Sequence, residues 1–143
     1  MYLTGKRYIW PHESTDVELA AAIGRLLPDA TGKRIKEVSV EAGYWRKANA
    51  IHAWFVENVQ NGDDDCREYE VSDEQLQELL AIVEQVLADH SKANVLLPTQ
   101  KGCFFGGETY DDWYFSQLTA TMDILKGALT LGGSWDLYYR ASW

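Results

Sequence analysis

The sequence YWRKANAIHAWFVENV, residues 44–59, decides how this chain is expected to fold. Its apolar residues Tyr44, Ala48, Ile51, Phe55 and Val59 recur at helical spacing, which predicts one buried face of an amphipathic helix. A second row beside that face, at positions 45, 49, 52 and 56, carries an amide and an imidazole. A buried polar group costs about 1–3 kcal/mol unless it finds a partner, so the segment predicts a functional surface as well as a core contact.

The whole chain has the size and composition of a single globular domain, residues 1–143. Hydrophobic residues make up 46% and charged residues 24%, which argues against wholesale disorder. Aromatic residues reach 13%, more than a small core usually requires. This excess indicates either an aromatic-rich core or additional aromatic residues in a ligand pocket or an interface.

The net charge of −9 is unevenly distributed along the chain. Residues 1–47 hold eight Lys or Arg against six Asp or Glu, whereas the rest of the chain holds five against sixteen. This acidic excess argues against nucleic acid or an anionic membrane as a partner. Between Glu57 and Glu78, nine acidic residues are opposed only by Arg67. The run is either a solvated face or a surface that imitates a phosphate backbone toward a DNA-binding partner.

The cellular compartment is inferred from motifs that the sequence lacks. Its two cysteines, Cys66 and Cys103, form neither a CxxC motif nor a metal-ligand spacing. With no signal peptide and no apolar run of transmembrane length, a soluble cytoplasmic protein with reduced thiols is expected. Cys66 with His52 as its base would form a nucleophile, but a free cysteine is more often a small core residue.

Periodicity and turn residues predict an α+β domain. Alternation predicts strands over residues 2–10 and 32–42, and helical patterns are predicted over residues 16–27, after the Ser72–Gln75 capping box, and from Thr109–Asp112 onward. The aromatic segment 135–143 is expected to pair with the N-terminal strand. The expected fold is a small antiparallel sheet of N-terminal, central and C-terminal strands packed against three or four helices.

The expected start of the central helix, at residues 43–44, places two cations in its first turn. Unpaired N–H groups already make a helix N-terminus positive, so Arg46 and Lys47 would each cost about 0.3 kcal/mol or more there. A bound anion such as a phosphate would offset that cost. Pairing of the two cations with Glu37 or Glu41 is the structural alternative.

A glycine-rich aromatic segment, TQKGCFFGG at residues 99–107, precedes the last long helix. Its glycines permit close backbone approach, while Phe104 and Phe105 supply a flat apolar surface. The segment lacks the Gly-Lys-Ser/Thr of a P-loop and is not GxGxxG. Tyr110 and Trp113 add aromatic rings where it meets the helix, so we expect a binding surface at this junction.

Three parts of the sequence resemble a widespread family of small bacteriophage proteins. They are YWRKANAIH with WFVENVQ at residues 44–60, LPT with FFG and YD at residues 97–111, and YYRASW at residues 138–143. The resemblance spans residues 34–143. Residues 11–32, which include an alanine-rich helical pattern, lie outside it and are expected to form an insertion.

Phage proteins of this kind are often counter-defence factors, and one group sequesters nucleotide signals such as cyclic or conjugated ADP-ribose derivatives. The resemblance therefore implies a protein of the host-cell cytoplasm that binds a small anionic nucleotide-type signal without turnover. Such binding requires aromatic faces for the base, cations and helix N-termini for phosphates, and amides for ribose hydroxyls. The candidate ligand-binding residues are Trp45, Arg46, Lys47, Asn49, His52, Phe104, Phe105, Tyr110 and Trp113.

Two other functions stay open at the level of the sequence. One is an acidic inhibitor that binds a host defence complex as a DNA mimic, through residues 57–78. The other is a phosphodiesterase that cleaves such signals with His52 as general acid or base. No acid/base pair or metal cluster is evident, so binding is preferred to catalysis and no cofactor is expected. The sequence is compatible with a monomer or a homo-oligomer, and a histidine beside an apolar face is more often a hydrogen-bonded core residue than a ligand contact.

Overall fold

A computed structural model describes residues 1–30, 32–100 and 107–142. These residues form a four-stranded antiparallel sheet and five α-helices, with 3-10 turns at Pro28–Ala30 and His90–Lys92, which confirms the predicted α+β class. The strands are β1 (Tyr2–Tyr8), β2 (Glu37–Tyr44), β3 (Glu68–Val71) and β4 (Asp136–Arg140). The helices are α1 (Ser14–Leu26), α2 (Asn49–Asn58), α3 (Asp73–Ala88), α4 (Ala93–Leu96) and α5 (Asp112–Leu129).

The strand order is β2-β1-β4-β3, and every neighbouring pair is antiparallel. The predicted pairing of the N-terminal and C-terminal strands is confirmed, because Tyr2 lies opposite Arg140 and Lys6 lies opposite Asp136. The four-residue strand β3, within the acidic run, was not predicted from the sequence. The two strands farthest apart in sequence, β1 and β4, therefore form the centre of the sheet.

The core lies between one face of the sheet and the helices. Phe55 of α2 stacks on Tyr139 of β4, with ring centroids 4.0 Å apart, and both side chains are 0% exposed. Burying a large apolar side chain contributes about 1.5–3 kcal/mol, so this pair fixes α2 against the sheet. In α5, Tyr114, Leu118 and Leu125 recur at helical spacing and are also buried.

Two helices begin where capping residues predict. Ser72 and Gln75 form the expected capping box of α3, each side chain bonding the backbone N–H of the other. The last helix begins at Asp112, within the predicted Thr109–Asp112 segment, and the side chain of Asp111 accepts a hydrogen bond from the Tyr114 N–H. Local side-chain chemistry decides both helix starts.

The predicted start of the central helix is wrong. Tyr44 continues β2 and pairs with Tyr2, and the N–H of Trp45 donates to the carbonyl of Met1 at 2.9 Å. The helix, α2, begins only at Asn49. Pairing with a strand more than forty residues away thus overrides the helical spacing of the apolar residues. Tyr44 was expected to lie in the core because of its place in the apolar row, but it is 48% exposed.

Gly43 was expected to end the central strand, but it lies within β2 and pairs with Leu3. A Cβ atom at this position would lie 2.2 Å from Cγ2 of Ile124 in α5. The glycine is therefore required because the helix packs directly on the strand, and its effect is to permit close approach.

The predicted insertion, residues 11–32, contains α1, which begins two residues before the predicted start and ends one residue before the predicted end. Asp16 joins this helix to the end of β1: its carboxylate accepts hydrogen bonds from the Trp10 N–H at 3.0 Å and from the Arg7 guanidinium at 2.7 Å. These two donors lower the pKa of Asp16. A single buried carboxylate thus fixes the start of α1 to the sheet.

Candidate functional site

The N-terminal ends of α2 and α5 lie side by side and border a cleft of about 120 Å³. Its described walls are residues 47–51, Gly107 and positions between Thr109 and Leu118. Of the candidate residues chosen from the sequence, Lys47, Asn49 and Trp113 line this cleft. The structure therefore brings together a cation, an amide and an aromatic ring that are distant in sequence.

Lys47 reaches the cleft from the connection between β2 and α2. Its φ angle is 61°, in the left-handed region, where a non-glycine residue is strained by about 1–2 kcal/mol. The connection that carries Lys47 is anchored by buried residues two positions before it and one after it, because Trp45 is 2% exposed and Ala48 is 5% exposed. Strained backbone of this kind is concentrated at binding sites, where the fold stabilises it.

The N-terminus of α2 carries no capping side chain. Its N-cap residue is Ala48, which makes no side-chain capping bond, and the first turn contains no acidic residue. The N–H groups at this end keep their partial positive charge, and residues 48–51 line the cleft. Together with Lys47, this end of α2 forms an electropositive wall.

The N-terminus of α5 has the opposite character. Asp111 accepts hydrogen bonds from the Tyr114 N–H at 3.1 Å and from the Thr109 hydroxyl at 2.8 Å, and these donors lower its pKa. The ionised carboxylate neutralises the helix end and also lines the cleft. An anionic ligand is therefore attracted to the α2 side of the cleft and repelled from the Asp111 side.

Asn49 is 5% exposed and bonds to both ends of the glycine-rich segment. Its Nδ2 atom donates to the carbonyl of Gln100 at 3.2 Å and to that of Gly107 at 3.1 Å. Both N–H groups of the amide are thereby used. Asn49 positions residues 100 and 107 beside α2, rather than offering its N–H groups to a ribose as the sequence analysis expected.

The aromatic candidates occupy different places. Trp113 is 56% exposed and presents its ring at the cleft. Tyr110 does not line the cleft; its ring packs edge-on against Tyr114 at 5.1 Å, and its hydroxyl accepts a 3.4 Å bond from the Thr99 N–H. Phe104 and Phe105 lie outside the described residues.

Trp45 was expected to contact the ligand, but the structure places it in the core. Its ring lies against Phe55 and Tyr139, with centroids 5.7 and 6.5 Å away, and its Nε1–H donates to the Thr121 hydroxyl at 2.9 Å. The sequence pattern could not distinguish these roles, because an indole with a satisfied N–H fits a core as well as a pocket. Trp45 instead fixes the connection that carries Lys47.

Arg46 and Lys47 were expected in the first turn of the helix, but both precede α2. Among the described residues neither forms an ion pair, so the alternative pairing with Glu37 or Glu41 is absent there. Arg46 is exposed but does not line the cleft, whereas its neighbour Lys47 does. These two adjacent residues thus differ in their contact with the cleft at the point where Lys47 has a positive φ.

His52 is 4% exposed and does not line the cleft. Its Nδ1 lies 2.7 Å from the Tyr139 hydroxyl, and its Nε2 lies 3.1 Å from Oδ1 of Asp64. Burial lowers the pKa of His52, while Asp64 opposes that shift, and burial also raises the pKa of Tyr139. This geometry matches the core role that the sequence analysis gave as the alternative to ligand contact.

Asp111 and Gln117 also line the cleft, although neither was among the sequence candidates. Asp111 was recognised only as part of a helix start, and Gln117 lies one helical turn after Trp113 on the same face of α5. The i, i+4 spacing of Trp113 and Gln117 could have identified Gln117 from the sequence, because residues at this spacing project from one side of a helix. Gln117 brings an amide to the cleft, whereas the N–H groups of Asn49 are already used.

A larger groove of about 660 Å³ lies elsewhere, between α1 and residues 28–30 and 32–35. Its described lining is mainly aliphatic and includes the cations Arg25, Lys33 and Arg34, but no aromatic side chain. None of the candidate residues lines it. Size alone favours this groove, whereas the pairing of a cation with an exposed ring favours the smaller cleft for a nucleotide-like ligand.

Neither a protein-family model, nor a curated protein, nor a solved structure matches this chain. Within the described ranges, no group of three or more His, Cys, Asp and Glu side chains could hold a metal ion. No helix in that part of the chain is long and apolar enough to cross a membrane. The case for a function therefore rests on the cleft and on the sequence resemblance.

Proposed function

We propose that this protein is a bacteriophage counter-defence protein that binds a small anionic, nucleotide-like signal in the cleft between α2 and α5 and holds it without turnover. The observation that carries the proposal is the convergence of Lys47, the uncapped N-terminus of α2 and the exposed ring of Trp113. The first two attract a phosphate, and the ring offers a stacking face for a base. The phage assignment rests on the resemblance over residues 34–143.

The size of the cleft limits how such a ligand is held. About 120 Å³ is less than the roughly 300–1,000 Å³ of pockets that enclose a whole drug-sized ligand. The cleft therefore accommodates one charged group, and the remainder of the ligand lies over Trp113 and the neighbouring surface. This arrangement favours recognition of a phosphate with an attached ring over burial of a complete nucleotide.

Binding without turnover is supported by the positions of the titratable groups. The imidazole of His52 is buried between Tyr139 and Asp64, away from the cleft lining. The carboxylate in the lining, Asp111, has a lowered pKa and is held by two donors, so it is a poor proton donor or acceptor at neutral pH. The described cleft thus favours retention over phosphodiester cleavage.

The experiment is a retention assay with named nucleotides. The protein is incubated with ADP-ribose, cyclic ADP-ribose and a set of cyclic dinucleotides, separated from free ligand and heat-denatured, and the released nucleotide is identified by mass. At least one nucleotide is expected to be recovered intact. Lys47→Ala should reduce its affinity about 10- to 100-fold, because a hydrogen bond to a charged group is worth about 1.5–3 kcal/mol.

Lys92→Ala is the matched control, because Lys92 is an exposed lysine away from the cleft lining. It should leave retention unchanged. The proposal fails if no nucleotide is retained or if the two lysine variants behave alike. Recovery of a cleaved nucleotide, with cleavage abolished in His52→Ala, would replace it with the phosphodiesterase interpretation.

The DNA-mimic alternative is less well supported, because the acidic run does not form one uniform surface. Asp64 bonds to His52, Asp65 bonds to Arg67, and Asp73 lies in the first turn of α3, where it complements the helix dipole. Loss of a host partner on charge reversal at residues 63–65, together with release of that partner at high salt, would favour this alternative.

A further inference from the structure

The sheet has one covered face and one open face. The covered face carries Leu3, Leu137 and Tyr139, which are buried against the helices. Side chains alternate along each strand, so residues at the intervening positions point away from the helices. We call that outer side the open face; its tyrosines are Tyr2, Tyr8, Tyr44 and Tyr138.

Half of the eight tyrosines of the chain lie on this face, and three of them have a neighbour that contacts the ring. Tyr2 and Tyr44 pair across β1 and β2 with ring centroids 5.1 Å apart. Tyr138 lies beneath the ammonium of Lys6, 4.5 Å from its ring centroid, and burial together with the nearby Tyr8 raises the pKa of Tyr138. Rings held by their neighbours lose little conformational entropy when a partner binds.

Carboxylates surround the tyrosines. At the outward positions of the four strands there are two cations, Lys6 and Arg140, and five carboxylates: Glu37, Glu41, Glu68, Glu70 and Asp136. Lys6 already pairs with Glu68, and the guanidinium of Arg140 donates to the carbonyl of Cys66. Within the described part of the chain the other four carboxylates have no ion-pair partner.

The edge of the sheet adds a second feature. β2 is the outer strand at one side of the sheet, and its eight residues, EVSVEAGY, contain neither Pro nor Lys. Natural edge strands are commonly protected by these residues, by short length or by a covering element. The backbone of β2 is therefore suited to pair with an extended segment, whose outward side chains would lie beside Glu37, Glu41 and Tyr44 of the open face.

We propose that the open face docks a basic, arginine-rich segment of a partner protein. The guanidinium group of arginine stacks on tyrosine rings and forms paired hydrogen bonds with carboxylates, whereas lysine does so less well. The net charge of −9 attracts a basic partner and repels nucleic acid and anionic lipid. The face shares no residue with the cleft lining, so the inference is independent of the ligand proposed above.

The test uses two extended peptides of equal charge, one alternating Arg with Ser and the other alternating Lys with Ser. Binding is measured by calorimetry at 150 mM salt, and the site is located by amide NMR shifts. The Arg peptide is expected to bind about fivefold or more tighter than the Lys peptide, because guanidinium stacking is added to charge attraction. The largest shifts should occur in β1, β2 and β4.

Three double variants distinguish binding to particular residues of the open face from attraction to the net negative charge of the protein. Tyr8→Ser with Tyr44→Ser leaves the charge unchanged and should weaken the Arg peptide about fivefold. Glu37→Gln with Glu41→Gln should weaken it at least as much. Glu57→Gln with Glu78→Gln removes the same charge from the exposed surfaces of α2 and α3 and should change affinity less than about twofold.

Equal weakening by the two glutamate pairs, equal binding of the two peptides, or shifts centred away from the sheet would each overturn the proposal. The substituted tyrosines are 43% and 48% exposed, so thermal unfolding should show that the variants fold. Preferential binding of nucleic acid or anionic vesicles to this face would likewise contradict it.

Discussion

At the scale of the residue, the absence of a side chain at Gly43 sets the distance between sheet and helix. Gly43→Ala should lower the free energy of unfolding by about 1–3 kcal/mol, because the new Cβ would lie 2.2 Å from Cγ2 of Ile124. Gly127→Ala in α5 is the matched control, since a Cβ there meets nothing within 4 Å; it should stabilise by about 0.5–1 kcal/mol. Urea denaturation measures both, and similar changes at the two sites would refute close packing at Gly43.

His52 gives a pH prediction at the same scale. Its pKa is lowered in the folded state, chiefly by burial, so the unfolded chain takes up a proton first as the pH falls below about 6.5. Its contribution to stability is therefore complete above pH 6.5 and is lost as the pH falls toward the folded pKa. The free energy of unfolding, measured from pH 7.5 to 5, should decline over this range.

His52→Gln should reduce that decline without removing it, because burial also lowers the pKa of the Met1 amine, which titrates in the same range; it should also lower stability at pH 7.5 by disturbing the contacts with Tyr139 and Asp64. A decline of the same slope in the variant would show that another group titrates. The carboxylates with lowered pKa, such as Asp16 and Asp111, contribute stability that is lost only at lower pH, so they do not obscure this window.

At the scale of the element, the uncapped start of α2 couples stability to ligand binding. Ala48→Ser should stabilise the protein by about 0.5–1 kcal/mol by supplying a capping oxygen, and should leave nucleotide retention largely intact. Ala48→Asp should also cap the helix, but its carboxylate would repel a phosphate and abolish retention. Thermal unfolding and the retention assay measure the two effects. Equal retention by both variants would show that no anion rests on this helix end.

Which elements could be predicted depended on whether the cause was local. The starts of α3 and α5 were predictable because Ser72, Gln75 and Asp111 bond to backbone only three residues away. The boundary between β2 and α2 was not, because hydrogen bonds between residues 1 and 45 decide it. The spacing of apolar residues within a segment does not indicate such a distant partner, and β3 was not predicted for the same reason.

The candidate site was predictable in part. Lys47, Asn49 and Trp113 were chosen because each is unusual in its local context, and all three line the cleft. Trp45 and His52 were chosen on the same grounds, yet both complete buried networks. A polar group beside an apolar row indicates that it has a hydrogen-bond partner. Only the folded structure shows whether that partner is another side chain or a ligand.

At the scale of the whole molecule, charge and topology divide the surface. Strands from the two ends of the described chain meet at the centre of the sheet, and the helices cover one side only. Although the chain has an excess of acidic residues, Lys47 and the α2 N-terminus form an electropositive patch on the helical side of the sheet. The surrounding negative charge should slow the approach of an anionic ligand, so added salt is expected to raise its association rate while weakening its contact with Lys47.

The central claim is that the α2 side of the cleft holds the anionic group of a nucleotide-like ligand. Amide NMR titration tests it most directly, with ADP-ribose, cyclic ADP-ribose and cyclic dinucleotides added in turn. At least one nucleotide is expected to produce its largest shifts at the backbone amides of Asn49, Ala50 and Ile51 and at the indole N–H of Trp113, and Lys47→Ala should remove these shifts. Shifts centred on the groove beside α1, or no saturable shifts with any of these nucleotides, would contradict it.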